Sequence, residues 1–276
     1  MRLDQQLVDR GLAESREKAQ RAILAGQVRL NGQVADKPGR KVKPEDQLEL
    51  SGGDRFVSRG GHKLHHALIE FALDVHGVRA VDIGASTGGF TDCLLQLGAA
   101  SVAAVDVGRG QLAWKLRQDP RVQVLEGLNA RHAGPAAFGP DYQPFDLAVL
   151  DCSFISLRLV LPPVVRLVRP GGRLVALVKP QFEAGREEAD RGRGVIADPA
   201  IHRRVLDELR AFVGSQPGLQ WLRETESPLL GPAGNKEFLI LLETTPSTDP
   251  ARGTGCQHRE DGLPGPPPGG RPAPHG

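Results

Sequence analysis

Along this chain the spacing of apolar positions changes from helical to alternating and then to long buried runs. Between residues 3 and 25, Leu, Val, Ala and Ile recur three or four apart. This spacing predicts two short helices, one from Leu3 to Arg10 stopped by Gly11, the other capped by Ser15, running to Ala25 and stopped by Gly26. QVRLNGQVA then alternates around Asn31-Gly32, a hairpin signature, and DQLEL closes the unit as a further strand. SGGDRF is a short hinge-like link, and SRGGHKLHHALIEFAL reads as a helix. Apolar runs near 79–84, 101–106, 122–126, 145–151, 172–179, 219–224 and 236–243 predict seven strands, with helical patterns between most of them. This order predicts an α/β fold, a Rossmann-like, doubly wound seven-stranded sheet preceded by a small α+β domain. The last two strands are joined through GPAGNKEF, too tightly for a helical crossover, so the final strand is expected to run antiparallel. The boundaries expected are 1–58 for the small domain and linker, 59–244 for the sheet domain and 245–276 for a tail. Eight Pro and seven Gly in that tail leave little to bury, and disorder is expected there.

The first strand and loop of the sheet, AVDIGASTGGFTDCLLQL, carry the strongest chemical signal. A strand ends at Asp82 and Gly84, a small-residue loop turns at Gly88 and Gly89, and a helix begins near Thr91. Glycines there let backbone approach a ligand, and Asp106, closing SVAAVD on the next strand, can accept hydrogen bonds from a ribose diol. The loop reads GASTGG, not GxGxxG, so a dinucleotide pyrophosphate is a poor guest. S-adenosylmethionine suits it better, having the same ribose but a sulfonium and an amino-acid end in place of phosphates. Taken alone the loop also admits NAD or a purely structural βαβ turn.

Composition narrows the class. No run approaches 18 apolar residues, which excludes a membrane-spanning helix, and MRLDQQLVDRG lacks a signal-peptide core, so a cytoplasmic protein with no membrane partner is expected. Cys93, Cys152 and Cys256 have no CxxC spacing, and reduced thiols without a metal are expected. The net charge of +2 hides an asymmetry: residues 1–65 hold 13 Lys/Arg against 9 Asp/Glu, and from Arg10 to Lys43 the count is 9 against 3. A polyanion partner fits this segment, as does a solvated charged face.

Residues RLDQQLVDRGLAESREKAQRAILAGQVRLNGQ, with the basic loop Lys37, Arg40, Lys41 and Lys43 behind them, resemble the S-four-type RNA-binding domain. The resemblance implies that the second helix and the hairpin meet RNA phosphates through Arg16, Lys18, Arg21 and Arg29, with Lys41 in the loop behind. Such contacts anchor and orient more than they select sequence. Residues 1–55 contain no aromatic residue, which argues against a base-stacking platform in this domain.

Four charged residues stand out in the sheet domain: Asp151 closing FDLAVLD, Lys179 closing GRLVALVK, Lys63 in SRGGHKL and Glu237 in GNKEF. The first two are carried out of apolar runs to the mouth of the sheet, where a charge needs a partner or a task; an ion-pair network tying loops together would also account for the set. Together they resemble the Lys-Asp-Lys-Glu tetrad of FtsJ-like RNA 2′-O-methyltransferases. FVSRGGHKL, VDIGASTGGFTDCLLQLGA, LDCSFISL, LVKPQFEAGRE and GNKEF resemble more closely still the TlyA family, rRNA cytidine-2′-O-methyltransferases, over residues 1 to about 244. The resemblance implies S-adenosylmethionine as methyl donor, 16S ribosomal RNA, 23S ribosomal RNA or both, in ribosomal subunits, as partner, and no metal. Lys179 is then the general base for a ribose 2′-hydroxyl, Lys63 supplies a like charge and a hydrogen bond, and Asp151 and Glu237 orient the lysines. For the cofactor it implies Asp82, Gly84, Gly88 and Phe90 in the loop, Asp106 at the ribose, Asn129 facing the adenine and Asp151 near the methionine end. Phe90 could instead pack in the core, and Asn129 could cap a turn.

The remaining conspicuous residues take plainer readings. His62, His65 and His66 are expected on a helix surface, the loop AGREEADRGRG in solvent, and Trp114 and Trp221 in the core. Two competing functions stay open: a membrane-active haemolysin, a label also used for this family, and a non-catalytic rRNA-binding assembly factor.

Overall fold

The computed structural model describes every residue except 25, 51–54, 186, 189–191 and 247–276. Nearly all of the expected disordered tail, part of the 51–58 linker and part of the 184–194 loop therefore lie outside the described residues.

The N-terminal unit packs two helices, α1 (Leu3–Asp9) and α2 (Arg16–Leu24), on a small antiparallel sheet ordered β2-β1-β3. Its strands are β1 (Val28–Leu30), β2 (Gln33–Val34) and β3 (Leu48–Leu50). Asn31 and Gly32 both adopt positive φ, 51° and 77°, as a two-residue turn between right-twisted strands requires. The helices bury Leu3, Leu7, Ala19 and Ile23 against Val28 and Leu30, so the helical and alternating patterns meet in one core. Buried Asp4 accepts hydrogen bonds from Arg2, Arg16 and Gln20 and ties the start of α1 to α2.

The larger unit has a seven-stranded sheet ordered β6-β5-β4-β7-β8-β10-β9. The strands are β4 (Arg79–Ile83), β5 (Ser101–Asp106), β6 (Val122–Glu126), β7 (Phe145–Leu150), β8 (Val168–Val178), β9 (Leu219–Glu226) and β10 (Phe238–Thr244). The first five are parallel, and β10 runs antiparallel between β8 and β9, as the short final connection requires. The expected strand from 172 begins earlier, at Val168, where its pairing with β7 is irregular.

Helices cover both faces. On one lie α3 (Gly60–Glu70), α4 (Gly89–Gln96) and the short α5 (Trp114–Arg117); on the other lie α6 (Leu157–Val165) and α8 (Pro199–Ser215). A single turn, α7 (Pro180–Glu183), follows β8. Alternate residues of β10 serve the two cores, Leu239 and Leu241 on one side and Ile240 and Leu242 on the other, which is why the strand is continuously apolar. Trp114 is an exception to the expected core: it is 73% exposed at the start of α5, a helix of four residues too short to bury it, whereas Trp221 is partly buried against the core.

The order reverses at β4, whose neighbours β5 and β7 lie on opposite sides. A crevice at such a switch point, over the carboxyl ends of the strands, is where open α/β sheets hold ligands. Asp82, Gly84, Asp106 and Asp151 all come to this place.

Candidate active site

Backbone geometry at the switch point requires the glycines. Gly84 has φ +85°, and a Cβ there would sit 2.7 Å from the backbone oxygen of Asp151, so a side chain would push the ends of β4 and β7 apart. Gly88, at φ +93°, is the N-cap of α4, which starts at Gly89, two residues before the expected Thr91.

Asp82 is fully buried and accepts hydrogen bonds from the Thr91 N–H (2.9 Å) and hydroxyl (2.7 Å). Its Oδ1 has no hydrogen-bond partner among the described residues. Burial pushes its carboxyl up to about 7; the Thr91 hydrogen bonds oppose the rise, while the charges of Asp151 and Asp106 add to it. Asp106 accepts from the backbone N–H groups of Ser86 and Gly108, both at 2.7 Å, which fixes the carboxylate at the tip of β5.

Two adjoining cavities share Gly84, Ser86, Asp151 and Ser153. The larger, about 450 Å³, runs past Asp106, Leu128, Asn129 and Ile155. The side chain of Asn129 caps the turn at Ala130–His132 by accepting from the Arg131 N–H, and the residue also lines this cavity. The smaller cavity, about 270 Å³, is lined by Asp82, Phe90 and all four charged residues singled out in the sequence. Phe90 likewise is both a buried core residue and a wall of the cavity. Gly88 lines neither cavity and acts through the turn it allows.

The two lysines come from distant parts of the chain and each meets a carboxylate. Lys63, buried on α3, is ion-paired with buried Glu237, which precedes β10. Lys179, just past β8, lies 2.7 Å from Asp151 Oδ1 and donates to the Ser153 hydroxyl at 2.8 Å. The Lys179–Asp151 contact is a close charge pair off the line of a hydrogen bond, so Asp151 Oδ1 keeps an unused acceptor direction. Sheet register brings the pairs together: Phe238 pairs with Val178, so Glu237 and Lys179 leave the same ladder step by step.

Several residues of the site escaped the sequence reading. Ser153 holds Lys179, and Ser58 and Arg59 line the small cavity from the start of α3. Phe154 is 90% exposed at φ 63°, unusual for an aromatic residue, and lies 5.1 Å ring to ring from Phe182. Their only sequence signal was position, directly after Asp151 or before Lys63.

The basic residues assigned to RNA have diverse surroundings. Arg16 binds Asp4 at 2.9 Å, Lys18 is paired with Glu14, and Arg21 lies 3.6 Å from Glu17. Lys41 pairs with Arg2 in an isolated β-bridge, and Arg29 donates to the Gly32 carbonyl. Arg29 also lines a broad cleft between the two units, together with Arg59, Lys115, His62, His65 and His66. The histidines thus face a cleft, and no group of three or more metal-ligating residues occurs among the described residues. No described helix is long and apolar enough to cross a membrane.

Both units of the chain match known protein families. Residues 56–244 match the FtsJ-like methyltransferase family and residues 1–48 the S4 domain. The 16S/23S rRNA (cytidine-2′-O)-methyltransferase TlyA of Mycobacterium tuberculosis is 48% identical over 246 residues, covering 88% of this chain and 90% of the relative. This chain belongs to the TlyA family. A second relative of the TlyA-family chain, Bacillus subtilis YqxC, provisionally named an rRNA methyltransferase, is 51% identical over 87% of this chain and 85% of its own. Among solved structures, one from Streptococcus thermophilus described as a hemolysin superposes with TM-score 0.69 at 47% identity, covering 90% of this chain and 89% of that one. The TlyA-family assignment makes the chain a methyltransferase, with an RNA-binding type of domain ahead of the catalytic sheet.

Proposed function

We propose that this chain transfers a methyl group from S-adenosylmethionine to the ribose 2′-hydroxyl of cytidine in ribosomal RNA, acting on ribosomal subunits. The observation that carries the reading is the convergence of two lysine–carboxylate pairs on the cavity next to the Gly84–Asp106 pocket. The donor set suits the cofactor. Asp106 accepts two backbone N–H groups and keeps lone pairs for ribose hydroxyls, and Asp82 Oδ1 is a buried acceptor that the protein leaves unmatched. Asn129 and the apolar walls Leu128 and Ile155 fit an adenine, while Gly84, Gly88 and Phe90 shape the loop beneath it. Bound there, S-adenosylmethionine supplies a methyl on a sulfonium, an activated leaving group.

A ribose 2′-hydroxyl is a weak nucleophile and must lose its proton as it attacks. Lys179 Nζ, held between Asp151 and Ser153, is the base: as the neutral amine it takes the hydroxyl proton and becomes an ammonium. Lys63 Nζ, fixed by Glu237, donates a hydrogen bond to the same oxygen and holds it in line. Asp151 offsets the charge that Lys179 then carries. The N-terminal unit and the cleft cations Arg29 and Arg59 provide phosphate contacts that anchor the RNA.

The test is methyl transfer from labelled S-adenosylmethionine to purified small and large ribosomal subunits, with mass spectrometry of the nucleosides. Wild type is expected to give 2′-O-methylcytidine and Lys179→Ala none, with cofactor affinity retained. Cofactor binding without labelled cytidine in either subunit would overturn the substrate; loss of cofactor binding by wild type would overturn the enzyme reading.

A further inference from the structure

Glu237 stands on no regular element, yet it is ion-paired with the Nζ of Lys63 on α3. Its loop is closed on one side by backbone bonds, Gly231 N–H to the Asn235 carbonyl at 2.9 Å and Ser227 N–H to the Glu237 carbonyl at 2.9 Å. The other side is closed by one side chain. Asn235 is 1% exposed; its Oδ1 accepts from the Ile196 N–H and its Nδ2 donates to the Gly194 carbonyl, both at 2.8 Å. The amide thus acts as a two-point clasp between the 227–237 loop and the segment before α8. His202 on α8 holds the same segment through the Ile196 carbonyl at 2.8 Å and packs edge-on against Phe238.

Asn235 lines neither cavity at the switch point. We infer that Asn235 is a positioning residue for methyl transfer: by locking the 227–237 loop to the Gly194–Ile196 backbone it sets the position of Glu237, and through Glu237 that of Lys63. Three features make the coupling tight. Asn235 and Glu237 are two residues apart, both are buried, and the carboxylate is crowded on its loop side: a Cβ at Gly231 would lie 2.5 Å from Glu237 Oε1. A loop displaced at Asn235 therefore moves the carboxylate. The inference rests on the proposed role of the Lys63–Glu237 pair.

A double-mutant cycle tests it, using the full chain, labelled S-adenosylmethionine and ribosomal subunits. Asn235→Ala is expected to lower kcat on the order of tenfold or more, as small misplacements of reacting groups do, with the cofactor Kd unchanged. In a Glu237→Gln background the same substitution is expected to change kcat less than twofold, since the geometry it protects is already lost. Equal loss in both backgrounds would make Asn235 a general structural residue and overturn the inference alone. An unchanged kcat for Glu237→Gln would overturn the proposed role of the pair itself. Should Asn235→Ala fail to fold, Asn235→Asp runs the same cycle. It keeps the acceptor for the Ile196 N–H but sets an oxygen against the Gly194 carbonyl, and the same selective loss is expected.

Discussion

Asp82 shows what one buried residue can do at this switch point. Its carboxyl, raised to about 7 in the folded chain, binds a proton more tightly than in the unfolded chain. Between about pH 4 and pH 7 the native state therefore holds more protons, and wild-type stability falls as pH rises through that window. Asp82→Asn keeps an acceptor for Thr91 and removes this dependence. Relative to wild type it should gain stability from pH 4 to pH 8, by up to about 4 kcal/mol at ~1.4 kcal/mol per unit, checked by denaturant unfolding at both values. If Asp82 Oδ1 receives a cationic group of the cofactor, binding at pH 6 releases a proton in wild type and none in the variant, measurable by calorimetry in two buffers. Phe154 stores strain of another sort. Its positive φ costs about 1–2 kcal/mol that glycine would not pay. Phe154→Gly should raise the melting temperature and, because Phe154 lines the larger cavity, weaken cofactor binding, checked by thermal melts and calorimetric titration.

At the scale of elements, α3 and α4 decide where Lys63 sits. Their N-termini cross so closely that a Cβ on Gly89 would lie 2.3 Å from the Ser58 hydroxyl oxygen and 2.8 Å from the Gly61 backbone nitrogen. The backbone cannot yield as a flexible side chain could. Gly89→Ala should cost about 1–3 kcal/mol of stability and lower kcat more than cofactor affinity, because α3 must shift and carry Lys63 with it. Thermal melts and steady-state kinetics on one preparation check both. The helix has two jobs by virtue of its period: positions 60, 61, 63, 64, 67 and 68 face inward, while His62, His65, His66 and Ile69 line the cleft.

For the whole molecule, the cleft between the units separates two kinds of basic residue that look alike in the sequence. Arg29→Ala should weaken RNA binding uniformly and reduce the slope of log affinity against log salt by about 1, the signature of one lost phosphate contact. Arg16→Ala should instead lower the stability of the N-terminal unit by about 1–2 kcal/mol, since it deprives buried Asp4 of a charged donor. Filter binding across a salt series and denaturant unfolding separate these outcomes. Hydrogen bonds from Arg2, Gln20 and Arg16 hold the Asp4 carboxyl well below the usual range. The stability it contributes is therefore present above about pH 4 and is lost as the pH falls further.

Much of this molecule follows from local pattern. The period of apolar residues determines the helices and strands, Asn31-Gly32 determines the hairpin, and the short GPAGNKEF connection determines the antiparallel last strand, because each is a matter of near neighbours and steric rules. Asp151 and Lys179 were legible for the same reason: a charge at the end of a buried strand has nowhere else to point. Pairing was another matter. That Lys63 meets Glu237, that Ser153 holds Lys179, that Arg16 serves Asp4 while Arg29 lines the cleft, and that Trp114 stands in solvent depend on sheet order and helix docking. These contacts join residues from different elements, up to 174 positions apart in the chain, and only the packed sheet brings their side chains within reach of one another.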